Sequence, residues 1–179
     1  MTGHDDKHMT DTACLANARI VLPDTVVHGK LILSGDRIAG VVPGTDVPRG
    51  ALDCEGDHLL PGMVEVHTDN LERHIEPRPG VLLPHDTAIL AHDGELASCG
   101  ITTVFDCFRM GSDEDNGYAP GEMRKLADAL RTAQDKGRLR ADHRIHLRCE
   151  VSSENVIEAL DEFRDDEMVR LASLMDHAP

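Results

Sequence analysis

Strand-like and helix-like segments alternate along the chain from residue 62 onward. Apolar, β-rich runs cover 63–67, 101–105, 144–151 and 168–175. Helical spacing of apolar residues falls between them, over 86–99, over 122–136 and around Val156, Leu160 and Phe163. An irregular segment is expected between the first strand and the first helix. This alternation is typical of βα units on a parallel sheet, so the sequence predicts an α/β fold.

The four strands and three helices of 61–179 have two interpretations. They form either a small complete domain or the first half of a (β/α)₈ barrel, which typically takes about 250 residues. A strand ends the pattern with no helix after it, which favours the incomplete barrel. Over 13–60, short apolar runs between turn signals predict a small antiparallel β unit. Residues 1–12 are charged and aperiodic, and we expect a disordered tail there.

The composition excludes several classes of partner. With 33 Asp and Glu against 18 Lys and Arg, the formal net charge is −15, so a nucleic acid is not expected to bind. No apolar run reaches the roughly 18 residues of a membrane helix, and the polar start lacks a signal core. The five cysteines show no CxxC spacing and fit reduced thiols. We therefore expect a cytoplasmic protein without a membrane partner.

The candidate site begins at His67-Thr68-Asp69, where the first barrel-type strand ends. Side chains two apart on a strand project from the same face, so the imidazole of His67 and the carboxylate of Asp69 converge. These are ligands that Zn²⁺ or Mn²⁺ accepts. Active sites of barrels lie at the C-terminal ends of the strands, so the position favours a metal site. A surface histidine beside a loop aspartate is the alternative.

The third strand carries three ionisable residues on one face. His146, Arg148 and Glu150 alternate with apolar residues, although both faces of a parallel strand are normally apolar. Ionisable groups on a buried face need partners or a ligand. Glu150, at the end of the strand, is therefore a candidate metal ligand or base. The alternative is an edge strand with a solvated face.

Cationic residues follow the His-x-Asp pair in the loop 70–80. Arg73, His74 and Arg78 are candidates for binding substrate phosphate, because guanidinium groups match phosphate oxygens. A solvated charged loop is the alternative for this segment. Asp176 and His177 follow the fourth strand and are further possible site residues.

Four stretches of the chain resemble the amidohydrolase superfamily, and within it the diphosphatases of phosphonate degradation. The stretches are LLPGMVEVHTDNLERHIEPRPGV (59–81), AHDGELASCGITTVFDC (91–107), HLRCEVSSENV (146–156) and LASLMDHAP (171–179). HTDN with PRPG is specific, because most amidohydrolases carry His-x-His at this place. The resemblance covers nearly the whole chain from about residue 15 and implies the first half of a metal-dependent TIM-type barrel, preceded at 13–60 by part of a small β-sandwich.

The same resemblance implies an activity and a ligand set. His67, Asp69 and Glu150 would hold a divalent metal of unknown identity. The substrate would be α-D-ribose 1-methylphosphonate 5-triphosphate, a small phosphorylated ribose of the carbon–phosphorus lyase pathway, cleaved to the 5-phosphate and pyrophosphate. Hydrolysis of a C–N bond, as in deacetylases and cyclic amidases, is one alternative, and a truncated non-catalytic fragment is another. A homo-oligomer is compatible with both the activity and the fragment.

Overall fold

The computed structural model describes residues 12–111 and 121–176, and these form two compact units that divide at Pro61 and Gly62. The predicted tail, residues 1–12, lies outside the described residues except for Thr12, which begins the first strand. Within the described ranges, none of the helices is long and apolar enough to cross a membrane.

The first unit is a β-sheet built around its longest strand. The strands are β1 (Thr12–Val21), β2 (Val26–Ser34), β3 (Arg37–Pro43), β4 (Leu52–Asp53) and β5 (His58–Leu59). Ala16, Ala18 and Ile20 of β1 are buried at alternate positions, which is the period of a strand with one covered face. β2 and β3 are antiparallel neighbours, as expected, but β4 and β5 run parallel to β1. Parallel pairing is possible here because the segment after β3 carries the chain back across the sheet.

Gly29 on β2 is a position where only glycine fits. A β-carbon built there would lie 2.4 Å from the carbonyl oxygen of Val42 on the neighbouring strand. The backbone of β3 therefore approaches β2 more closely than any side chain would allow.

The second unit is a parallel four-stranded sheet with helices between its strands. The strands are β6 (Met63–Thr68), β7 (Ile101–Met110), β8 (Asp142–Glu150) and β9 (Val169–Met175), in that order across the sheet. All three pairings are parallel. This order and direction confirm the predicted α/β fold with the first strands of a barrel.

Helices in this unit are α1 (Asn70–Ile75), α2 (His85–Ser98), α3 (Glu122–Asp135) and α4 (Val156–Asp161). Their inner residues and the sheet share one apolar core, in which Ile89, Leu130, Phe108 and Ile145 are fully buried. Gly100 follows the end of α2 with φ +80°, and its N–H donates to the carbonyl of Ala97.

One local prediction is wrong. Three helices were expected in 61–179, but the described part contains a fourth, because α1 occupies the start of the segment predicted as a loop. Leu71 and Ile75 are four residues apart on α1 and both are buried, so this short helix is stabilised by the core rather than by its own length. The helix after β8 is α4, which begins at Val156, and the Ser153 hydroxyl donates to the side chain of Asn155.

Candidate metal centre

His67 and Asp69 meet at the carboxyl end of β6, as the His-x-Asp spacing predicts. His67 Nε2 lies 3.4 Å from Asp69 Oδ2, and both side chains keep partial contact with solvent. The backbone N–H of His67 donates to Glu65 Oε1, which fixes the end of the strand. Asp69 stands just before α1, where the backbone changes from strand to helix. The sequence therefore places an imidazole and a carboxylate side by side at this edge of the sheet.

Cys107 on β7 joins this pair. His67, Asp69 and Cys107 each offer one nitrogen, oxygen or sulfur atom that could bind a metal. These three atoms lie within 4.8 Å of one another. Burial raises the pKa of the Cys107 thiol well above its usual range, and its hydrogen bond to Asp69 raises it further. Cys107 is therefore a neutral thiol that donates to the Asp69 carboxylate. In the sequence, only the position of Cys107 along β7 could have indicated its contact with Asp69.

The carboxylate of Asp69 is held in its ionised form. Burial by itself raises the pKa of Asp69, but the hydrogen bond from Cys107 and the charges of Arg148 and His67 outweigh it, and the net shift is downward. An ionised carboxylate beside an imidazole is the form that binds a divalent cation.

β8 presents three ionisable residues to this site. His146, Arg148 and Glu150 are buried although they are polar. Because β8 lies between β7 and β9, the alternative of an edge strand with a solvated face is wrong. His146 Nδ1 is 3.2 Å from His67 Nδ1, and its Nε2 is 2.8 Å from the hydroxyl of Ser173. Burial lowers the pKa of His146, and the neighbouring His67 lowers it further.

Arg148 connects the two carboxylates that were predicted as ligands. Its Nη1 donates to Asp69 Oδ1 at 2.8 Å, and its Nε lies 3.2 Å from Glu150 Oε1. Glu150 therefore reaches the His67–Asp69 pair through a guanidinium group. Arg148 was noticed in the sequence as part of a polar face, but its position between two acidic residues of different strands is visible only in the folded chain.

The three predicted phosphate-binding residues are not joined by any contact among the described residues. Arg73 and Arg78 are exposed. His74 Nε2 lies 2.8 Å from Glu95 Oε2 on α2, and its ring packs 5.5 Å from that of His92. His74 therefore points toward α2, because it lies on the side of α1 that faces α2.

Asp176 directly follows β9, at the same edge of the sheet as Glu150, and is exposed. Its predicted neighbour His177 lies outside the described residues.

A second polar cluster lies on the helix-facing side of the sheet. His92 Nε2 and His143 Nδ1 donate to the two oxygens of Asp106, at 2.8 and 2.7 Å. His143 Nε2 lies 3.5 Å from Asp93, and Asp93 in turn accepts from Arg140. The three members His92, Asp106 and His143 are fully buried. No local pattern in the sequence connects these residues, since they come from α2, β7 and β8.

Interactions between acid and imidazole shift pKa values within this cluster. Burial raises the pKa of Asp106, but the two imidazoles outweigh it and the net shift is downward. Burial lowers the pKa of His143, but the carboxylates of Asp106 and Asp93 outweigh it and the net shift is upward. The two acidic neighbours therefore favour the charged form of His143, and His92 shares Asp106 with it.

No protein-family model matches the chain. The alpha-D-ribose 1-methylphosphonate 5-triphosphate diphosphatase of Escherichia coli (strain K12) is 37% identical over 163 residues, which is 91% of this chain and 43% of that protein. The chain thus spans less than half the length of the curated relative that it matches.

Solved structures share the fold at lower identity. An L-hydantoinase (dihydropyrimidinase) from Arthrobacter aurescens gives a TM-score of 0.53 at 17% identity, covering 92% of this chain and 36% of that one. An amidohydrolase from a Sargasso Sea environmental sample gives 0.54 at 18% identity, covering 80% and 35%. A D-hydantoinase gives 0.52 at 20% identity, covering 90% and 32%. By sequence the chain resembles the N-terminal half of a diphosphatase, and by fold it resembles hydantoinases and another amidohydrolase.

Proposed function

We propose that this chain provides the first metal-binding strands of a divalent-metal-dependent hydrolase that cleaves a ribosyl triphosphate. The substrate would be α-D-ribose 1-methylphosphonate 5-triphosphate, and water would cleave its anhydride to leave the 5-phosphate and pyrophosphate. The observation that carries the proposal is the convergence of His67 and Asp69 at the carboxyl end of β6, in a chain that is 37% identical to a diphosphatase over 163 residues.

The donor set fits a divalent ion such as Zn²⁺ or Mn²⁺. His67 offers an imidazole nitrogen, and Asp69 Oδ2 is directed at that same ring. Glu150 would be the third ligand, at the end of β8 and linked to Asp69 through Arg148. A bound divalent ion supplies a more acidic water and neutralises charge on phosphoryl oxygens.

The residues of the chain itself would orient these groups. Arg148 holds Asp69 Oδ1 and leaves Oδ2 turned toward His67. Cys107 donates a further hydrogen bond to the same carboxylate. Phosphate binding by Arg73, His74 and Arg78 stays a prediction, with His74 the least suited because it already faces Glu95.

Metal titration of the 179-residue chain tests the ligand set directly. We expect calorimetry with Zn²⁺ and Mn²⁺ to show binding that His67→Ala and Asp69→Asn each weaken strongly and Glu150→Gln weakens as well. His58→Ala is the matched control, because His58 is an exposed histidine of the other compact unit. Binding that is equal in all four variants would contradict the assignment.

A product assay tests the reaction. We expect metal-stimulated release of pyrophosphate from the ribosyl triphosphate, with no release by His67→Ala. Release of an amine or acid from a cyclic amide or an acetylated amine, in place of pyrophosphate, would show the C–N hydrolysis alternative instead. Metal binding without either turnover would indicate a non-catalytic fragment.

A further inference from the structure

Arg109, near the end of β7, projects into the face of the sheet that carries the candidate metal centre. Val104, Phe108 and Met110 of the same strand are buried in the core beneath the helices. Because side chains alternate along a strand, Cys107 and Arg109 project from the opposite face. The hydrogen bond from Cys107 to Asp69 confirms that Cys107, two residues before Arg109, projects from this opposite face.

Arg109 lies directly beside Arg148. The two residues are paired in the parallel register of β7 and β8, so their side chains leave adjacent strands on the same face. Arg148 is compensated by Asp69 and Glu150. Two guanidinium groups at neighbouring positions repel each other unless each has its own anion.

The compensation of Arg109 is incomplete among the described residues. Its Nε is buried, yet within residues 12–111 and 121–176 it finds no hydrogen-bond acceptor. The carboxylate of Glu72 on α1 interacts with it through charge alone. A buried N–H donor without an acceptor is unfavourable, so the geometry calls for an acceptor from a ligand.

We propose that Arg109 is an anion-binding residue of this site and contacts a phosphoryl oxygen of the substrate. The planar guanidinium group binds two phosphate oxygens at once through its Nε and Nη donors. The phosphoryl identity of the anion rests on the proposed function, whereas the requirement for an anion rests on the geometry of Arg109. The assignment adds a phosphate contact at the end of β7 to those predicted in the loop after β6.

The candidate differs from the loop arginines in burial. Arg73 and Arg78 are exposed, where water competes for each guanidinium group and the gain from an ion pair is small. Arg109 is partly buried and its Nε is fully covered, so a hydrogen bond made there is stronger. Arg138 is exposed after α3 and lies in neither predicted site, so Arg138→Gln is the matched control for Arg109→Gln.

Calorimetric titration with pyrophosphate, in the presence of a chelator, tests the proposal on the full chain. We expect Arg109→Gln to weaken binding at least about tenfold, Arg109→Lys to recover part of the loss, and Arg138→Gln to leave binding unchanged. Thermal unfolding monitored by circular dichroism checks that the variants fold alike. A wild-type chain that does not bind pyrophosphate would overturn the proposal, as would equal binding by wild type and Arg109→Gln.

The chelator separates this proposal from the proposed metal site. Because no divalent ion is available in the titration, failure of His67 and Asp69 to bind a metal would not alter its result. Conversely, a metal titration of Arg109→Gln should match the wild type, since Arg109 is assigned to the anion. Loss of metal binding in that variant, with pyrophosphate binding retained, would contradict the assignment to the anion.

Discussion

Arg148 Nη1 lies 2.8 Å from Asp69 Oδ1 and thereby divides the two oxygens of that carboxylate between two neighbours. The second oxygen, Oδ2, lies 3.4 Å from His67 Nε2. A carboxylate held in this way on one side presents a single, oriented oxygen on the other. Arg148 is thus a positioning residue for the proposed ligand Asp69.

Replacement of Arg148 should weaken metal binding without removing a ligand. Hydrogen-bonded partners of metal ligands typically contribute about 10- to 100-fold in metal affinity, and we expect a loss of that size for Arg148→Gln. The metal affinity of Arg148→Lys should lie between those of Arg148→Gln and the wild type. An ammonium group, unlike the guanidinium group, cannot contact Asp69 and Glu150 at the same time. Zinc competition with a chromogenic chelator measures the effect, and unchanged affinity in Arg148→Gln would count against it.

The pH dependence of stability should follow the His143–Asp106 pair. The two acidic neighbours of His143 raise its pKa. Its contribution to the free energy of unfolding is therefore complete below the ordinary histidine pKa of 6.5 and is lost as the pH rises through the pKa of the folded state. The pKa of Asp106 is lowered, so its contribution is present above the ordinary aspartate value of 3.8 and is lost as the pH falls through the folded value.

The two effects together predict a maximum in this network's contribution at about pH 5 to 6, with a decline on the alkaline side. Urea unfolding at a series of pH values measures it. His143→Gln should remove the alkaline decline, while His58→Gln, at an exposed histidine, should keep it. A wild-type chain that becomes more stable between pH 6.5 and 8.5 would refute the role of His143.

Core packing around α3 gives a prediction of stability that is independent of the site. Leu130 is fully buried between α3 and the sheet, so Leu130→Ala should lower the free energy of unfolding by about 2 to 5 kcal/mol. Leu82 is 70% exposed, and Leu82→Ala should change the free energy of unfolding by less than about 0.5 kcal/mol. Chemical denaturation of the two variants measures the difference, and a similar loss in both would show that the core is placed wrongly.

Thiol reactivity should report the environment of Cys107. Cys99 is exposed after α2, whereas Cys107 and Cys149 are buried and burial raises the pKa of both thiols. We expect Cys99 to react rapidly with a disulfide reagent and the two buried thiols to react only on unfolding, because the thiolate is the reactive form. Cys99→Ser should remove the fastest-reacting thiol and leave the half-buried Cys14 and Cys54 to react more slowly. A fast phase that survives this change but disappears in Cys107→Ser would contradict the hydrogen bond to Asp69.

Local patterns in the sequence determined the elements of the second unit and one end of its site. The spacing of apolar residues gave α2, α3 and the four parallel strands, because a helix or strand with one buried face must repeat its apolar residues at the period of that element. The two-residue spacing of His67 and Asp69 gave their convergence for the same reason. The glycine after α2 also indicates where that helix ends, since a residue with positive φ closes the helix there.

Contacts between elements were decided by the tertiary structure. The short helix α1 exists because Leu71 and Ile75 enter the core, and a single turn has too little stability of its own to be predicted from its sequence. Arg148 meets Asp69, and Arg109 stands beside Arg148, through the register of three strands that are far apart in the chain.

The network of His92, Asp106 and His143 likewise joins a helix to two strands. A sequence specifies which residue types lie on each face of an element. Only the packing of those faces against one another fixes which charges meet, and therefore which of them bind a ligand.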